Sequence, residues 1–128
     1  MTGVQTCALP IFHDGVRPFV SVDIINESFK IAYEKGTAIV SVLSKDSVRV
    51  NGRAIDRSTV RLIQTPQTFQ ISLIKKAFET KELSTFTDDA SVAEYAGFEI
   101  NLIEGNYENI KITTPDDLLW AENYCSSK

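Results

Sequence analysis

The amino-acid sequence predicts an α/β fold: a largely parallel β-sheet carrying packed helices, with a β-hairpin arm projecting from it. Three observations carry this expectation. Short apolar or β-branched runs alternate along the chain with amphipathic stretches of helical period, the pattern of strands joined by crossover helices. The run Thr37–Leu43 is short, β-branched and without polar alternation, as a strand covered on both faces requires. Asn51-Gly52 stands between two alternating runs, a strong hairpin signal, because a type I′ turn needs positive φ at both central residues.

The composition is that of one globular domain. The chain has 128 residues, 43% hydrophobic and 23% charged, with 13 Lys and Arg against 17 Asp and Glu and a formal net charge of -4. These fractions exclude disorder and fibrous repeats, and a chain of this size buries roughly two-thirds of its unfolded surface, enough for a core. No apolar run approaches the roughly 20 residues that span a bilayer, and the first residues lack a basic start followed by a long apolar stretch. A cytoplasmic protein without a membrane partner is expected. Cys7 and Cys125 stand near opposite ends of the chain with no metal-ligand spacing, against a disulfide framework or a zinc site. The mildly acidic balance argues against nucleic acid, whose phosphate backbone wants a broad basic surface.

Residues 1–11 (MTGVQTCALPI) show neither helical nor strand period and read as a non-native leader, resembling the translation of a sequencing adapter joined in frame to a gene. The organised domain is expected over 12–128. Phe12 ends a strand that breaks at His13-Asp14-Gly15, and Pro18 forces Arg17 out of the helical region. Ser21 is a natural N-cap for a helix over about Val22 to Glu34, with Ile25, Phe29 and Ala32 inward and Gly36 as its stop. The strand Thr37–Leu43 leads into an arm over about 44–64. Closure at Asn51-Gly52 pairs Val50 with Arg53, Val48 with Ile55 and Asp46 with Arg57, and an isolated hairpin of this kind needs something to pack against, a partner subunit being one candidate.

Leu62 to Thr65 reads as a strand stopped by Pro66. Gln70 to Glu82 reads as a helix with Leu73, Ile74, Ala77 and Phe78 inward. Thr87 is placed to cap a short helix through about Ala96, with Asp88 and Asp89 complementing its dipole. Phe98 to Ile103 is a strand, Asn109 to Thr113 another extended piece, and Thr114-Pro115-Asp116-Asp117 a strong helix start, with Leu118, Ala121 and Tyr124 facing inward.

Three segments carry chemistry that a core does not require. His13-Asp14-Gly15-Val16-Arg17-Pro18 puts an acid and a base at a strand exit, where open α/β sheets place their ligands. The Asp can help hold a metal or nucleotide and the Arg can grip phosphate; a structural Asp-Arg pair in a turn is the competing reading, and His13 reads as structural. Asp56-Arg57-Ser58 and Gln64-Thr65-Pro66-Gln67 gather a cation and hydroxyls around the return strand of the arm. Asn109-Ile110-Lys111-Ile112 places a lysine between two isoleucines ahead of a helix, where an edge-strand lysine that discourages aggregation is the alternative.

In order and separation, HDGVRPF, DRS with QTPQTF, TDDAS and EGNYENIKITTPDDL resemble the 2-C-methyl-D-erythritol 4-phosphate cytidylyltransferase family of the non-mevalonate isoprenoid pathway, over Phe12 to about Tyr124. The ribitol-5-phosphate cytidylyltransferases share the HDxxRPF and NIKxTTP signatures and are the alternative relative. The resemblance implies a Rossmann-like, mostly parallel sheet of the nucleotidyltransferase type. It also implies transfer of a cytidylyl group from CTP to a polyol phosphate with release of pyrophosphate, assisted by a divalent metal, usually magnesium. Arg57 and Lys111 match the pair that positions the methylerythritol phosphate. Asp14, Gly15 and Arg17 match cleft contacts, Thr65 and Thr87 hydroxyl contacts, and Ser47 stands where many relatives carry a threonine on the arm. No metal ligand is assigned, Asp14 being the candidate. In this family the arm reaches over a second subunit, so Ser47 and Arg57 would serve a neighbour's site in a homodimer.

The family's glycine-rich CTP loop, upstream of HDxxRP, has no counterpart among the six glycines. Two expectations of different classes follow. One is the carboxy-terminal part of a cytidylyltransferase, inactive by itself; the other is a non-catalytic protein that dimerises or captures phosphate.

Overall fold

The computed structural model describes residues 8–79 and 86–127. A four-stranded sheet forms its centre, in the order β1 (Ile11–Phe12), β5 (Arg61–Phe69), β2 (Thr37–Leu43), β6 (Leu102–Glu104). The helix α1 (Val22–Lys35) covers one face; α2 (Ile71–Ala77) and α3 (Asp89–Tyr95) cover the other, and α4 (Pro115–Ser126) closes the chain. Among the described residues no helix is long and apolar enough to cross a membrane.

The central strand explains the two cores. Residues Thr37–Val42 of β2 are all buried, and alternation sends Ala38 and Val40 toward α1, where they meet Ile24, Ala32 and Ile103. Ile39 points the other way and packs with Phe69, Ile74, Ala77, Ala90 and Ala93. The sheet is more antiparallel than the sequence predicts: β2 pairs in parallel with β6, but β5 runs antiparallel to both β2 and β1. The reason is the arm, which reverses the chain between β2 and β5 and needs no crossover helix.

Several local expectations meet the geometry directly. Ser21 Oγ accepts from the Ile24 N–H, and Gly36, at φ 97, ends α1 by donating to Ala32. The buried stripe of α1 is Ile24, Ser28 and Ala32, one position off the predicted Ile25 and Phe29, which are half-buried. The hairpin of β3 (Val48–Val50) and β4 (Arg53–Ile55) has the predicted register, with Asn51 at φ 52 and Gly52 at φ 80. Asp46 and Arg57 do not extend the ladder, because Asp56 caps a single 3-10 turn over Arg57–Thr59. Thr114 and Asp117 form a reciprocal capping box at α4.

Other expectations change. Asp88, not Thr87, is the N-cap of α3, accepting from Ser91 N–H at 2.8 Å. The predicted Gln70 to Glu82 helix is regular over Ile71–Ala77, its far end lying outside the described residues, and Phe78 is exposed. Strand pairing within Phe98 to Ile103 is confined to the end, continuing to Glu104. Leu118 also turns outward, leaving Ala121 as the buried residue of α4. Residues ahead of Phe12 also bond to the sheet and to the start of α2. Ile11 pairs with Thr68, and the carbonyls of Ala8 and Pro10 accept from Ile71 and Phe69 N–H at 3.1 Å each.

Candidate active site

Pro66 lies inside β5 rather than ending it, and this difference builds the site. β2 and β5 pair through Ile39↔Gln67 and resume at Ser41↔Ile63, so two steps on β2 face four on β5. Gln64, Thr65 and Pro66 are thereby lifted out of the ladder, the kind of position that tolerates a residue without an N–H.

Thr65 is held by the loop that follows β1. Its Oγ1 accepts from Asp14 N–H at 3.0 Å and lies 3.0 Å from His13 Nδ1. His13 Nε2 lies 2.9 Å from the Arg17 carbonyl, which can only accept. Nε2 therefore carries a proton and donates to that carbonyl. Arg17 folds back on Asp14, Nε to Oδ2 at 3.1 Å, and extends Nη1 to the Asn109 carbonyl at 2.8 Å. Its side chain is 12% exposed, against 35% for Asp14. Ile112 N–H donates to Val16 at 2.9 Å and ties the segment that carries Lys111 to the same loop.

Asp14, Arg17, Thr65, Thr87 and Lys111 share one open cleft of about 770 Å³. Gly15 is in the adjoining turn, with no described atom within 4 Å of where a Cβ would stand. Ser47 and Arg57 lie apart on the arm, and Arg57 Nη1 donates to the Lys45 carbonyl at 2.7 Å. The cleft also contains His13, Gln64, Gln67, Asp88 and Asp89, none of which sequence reading assigned to a site. For His13 the signal was its place beside Asp14; for the glutamines it was the pair flanking Thr65-Pro66. Gln67 is buried, donates to Asp88 Oδ2 at 3.0 Å and accepts from Ala90 N–H at 3.0 Å, so it ties the strand to the start of α3.

Charge is divided across this cleft. Burial, followed by the nearby carboxylates of Asp88 and Asp14, pushes the Asp89 pKa up. Arg17 and Lys111 supply the positive side. A phosphate would find a guanidinium, an ammonium and a hydroxyl within one space, which is the combination that anion recognition uses.

The fold is of the nucleotidyltransferase type. The structure aligns with the 2-C-methyl-D-erythritol 4-phosphate cytidylyltransferase of Thermus thermophilus at a TM-score of 0.81 and 32% identity, over 92% of this chain and 62% of that one. It aligns with the 4-diphosphocytidyl-2C-methyl-D-erythritol synthase of Anaerococcus prevotii at a TM-score of 0.83 and 32% identity, over 92% and 56%.

The chain belongs to the 2-C-methyl-D-erythritol 4-phosphate cytidylyltransferase family, whose model matches residues 3–127. It is 39% identical to the enzyme of that name from Alkaliphilus oremlandii, over 97% of this chain and 56% of the relative. It is 43% identical to the one from Geobacillus kaustophilus, over 98% of this chain and 60% of the relative. The chain thus spans little more than half the length of the curated relatives it matches.

Proposed function

We propose that the chain is the carboxy-terminal part of an enzyme that transfers a cytidylyl group from CTP to 2-C-methyl-D-erythritol 4-phosphate. A phosphate oxygen of the polyol phosphate attacks the α-phosphorus of CTP, and the bond to pyrophosphate breaks. The observation that carries this reading is the convergence of Arg17, Lys111, Thr65 and Asp14 on one cleft in a chain of this family. Two anions must be brought together, so the chief requirement is placed cations and oriented donors. Lys111 and the neighbour's Arg57 orient the attacking phosphate, Arg17 and Thr65 line its seat, and Gly15 and Thr87 border the nucleotide side. Ser47 accompanies Arg57 on the arm of the second copy in a homodimer.

Among the described residues no three His, Cys, Asp or Glu side chains converge into a metal cage. A magnesium ion carried on a triphosphate needs one or two protein carboxylates, and Asp14, one oxygen of which holds Arg17, fits that need. When bound, the ion offsets the charge of the triphosphate.

The test follows pyrophosphate release from CTP with methylerythritol phosphate. The chain is assayed as it stands and joined behind the amino-terminal portion of the Geobacillus kaustophilus relative. Release by the joined protein and little by the chain alone is expected. No release from either, or release with ribitol 5-phosphate in preference, would overturn the assignment.

A further inference from the structure

Several segments of the cleft meet at a single buried residue outside its lining. Asn109 is fully buried. Its Nδ2 donates to Gln64 Oε1 at 3.1 Å and to the Thr65 carbonyl at 2.8 Å, gripping the lifted part of β5. The Asn109 main-chain carbonyl accepts from Arg17 Nη1 at 2.8 Å, so the guanidinium that pairs with Asp14 is tied to the same segment. Gln64 closes a ring by donating to the Asn106 carbonyl at 3.1 Å, which also receives the Asn109 N–H at 3.2 Å. Lys111, two residues on, enters the cleft.

Packing does not account for a carboxamide at this position. Asn109 Oδ1 is buried and has no partner among the described residues. A buried acceptor left unsatisfied is a cost that an apolar residue of similar volume would not carry. What the carboxamide supplies, and leucine does not, is two N–H donors held in one plane.

We infer that Asn109 is a positioning residue for the reaction: it holds Thr65, Arg17 and Lys111 in register so that the polyol phosphate meets them already arranged. The inference rests on the proposed function, and Asn109 acts through these three groups without touching substrate. Displacements of about 1 Å in such a constellation cost on the order of a hundredfold in rate.

Asn109→Leu separates this role from a structural one. It fills the volume, removes the orphaned acceptor and deletes both donors. In the joined protein, turnover is expected to fall about a hundredfold while the thermal midpoint is retained. In the chain as it stands, the ¹⁵N-labelled Arg17 Nε–Hε and Thr65 amide resonances should shift. If Leu does not fold, Asn109→Ser is read in the same way. Turnover within twofold of the parent, or unmoved Arg17 and Thr65 signals, would overturn the inference, as would failure of both variants to fold, which would make Asn109 a folding residue. An inactive parent would sink the proposed function instead and leave the resonance comparison to decide the placement of Arg17 and Thr65.

Discussion

Gly105, directly after β6, stands where no side chain has room. A Cβ there would stand 2.5 Å from Val40 Cγ1 and 2.8 Å from Gln64 Oε1. Gly105→Ala is expected to cost about 1–3 kcal/mol, as overpacking does. Because one neighbour is Gln64, turnover of the joined protein should fall as well; an unchanged denaturation midpoint would contradict this. Lys111→Ala and Arg57→Ala are each expected to lower turnover by orders of magnitude in the joined protein with the fold intact, since both side chains are exposed and neither supports the core. Near-normal kinetics in either variant would remove its assigned role. Asp14, Arg17, Thr65, Thr87 and Lys111, which share the cleft, were legible as candidates because each stands in a motif of the family resemblance. Asn109 was not, since its importance lies in partners 44 and 45 residues away that become neighbours only after folding.

At the scale of elements, the caps at Ser21 and Thr114, the Asn51-Gly52 turn and the central strand were readable, while the cap of α3 and the limits of β5 and β6 were not. Thr114-Pro115 and Asn51-Gly52 act on groups within a few residues of themselves, so local sequence suffices. Pro66 misled because its tolerance depends on the mismatch with β2, a property of two strands. Gly52→Ala tests the hairpin alone: no described atom lies within 4 Å of the added methyl, so the penalty comes from φ 80, about 1–2 kcal/mol. The amide signals of β3 and β4 should lose dispersion while those of β2 stay fixed. At the start of α3, Asp89 holds its proton more tightly in the folded state than in the unfolded one, chiefly through burial. Such a group favours the fold below its unfolded pKa of about 3.9 and loses that contribution as pH rises through the folded value. Asp89→Asn is therefore expected to raise the thermal midpoint at pH 7, with the gain shrinking toward pH 4; a pH-independent difference would reject the cause.

The whole molecule is an α/β sandwich whose class was evident from the alternation of elements, while the antiparallel placement of β5 came from the arm. That arm forms its own two-stranded sheet, with Val50 and Ile55 exposed on it. If it serves a second copy, two dead variants of the joined protein should complement each other. Mixing Lys111→Ala with Arg57→Ala chains and allowing exchange puts an intact Lys111 and an intact Arg57 together in about a quarter of all sites, by two-fold symmetry. Recovery of about a quarter of parental turnover is expected. No recovery despite demonstrated exchange would place both residues in one chain's site.

The lifted segment of β5 has a consequence for how this chain can change length. Ile63 to Gln67 spends two residues more than the facing interval of β2, an even excess, so the in-and-out parity of the strand is the same before the excursion and after it. Insertions or deletions in pairs can therefore reshape the Thr65 loop without disturbing the sheet. A single-residue indel between Ile63 and Gln67 would reverse every side chain of β5 on one side of it, exchanging core for solvent along that half of the strand.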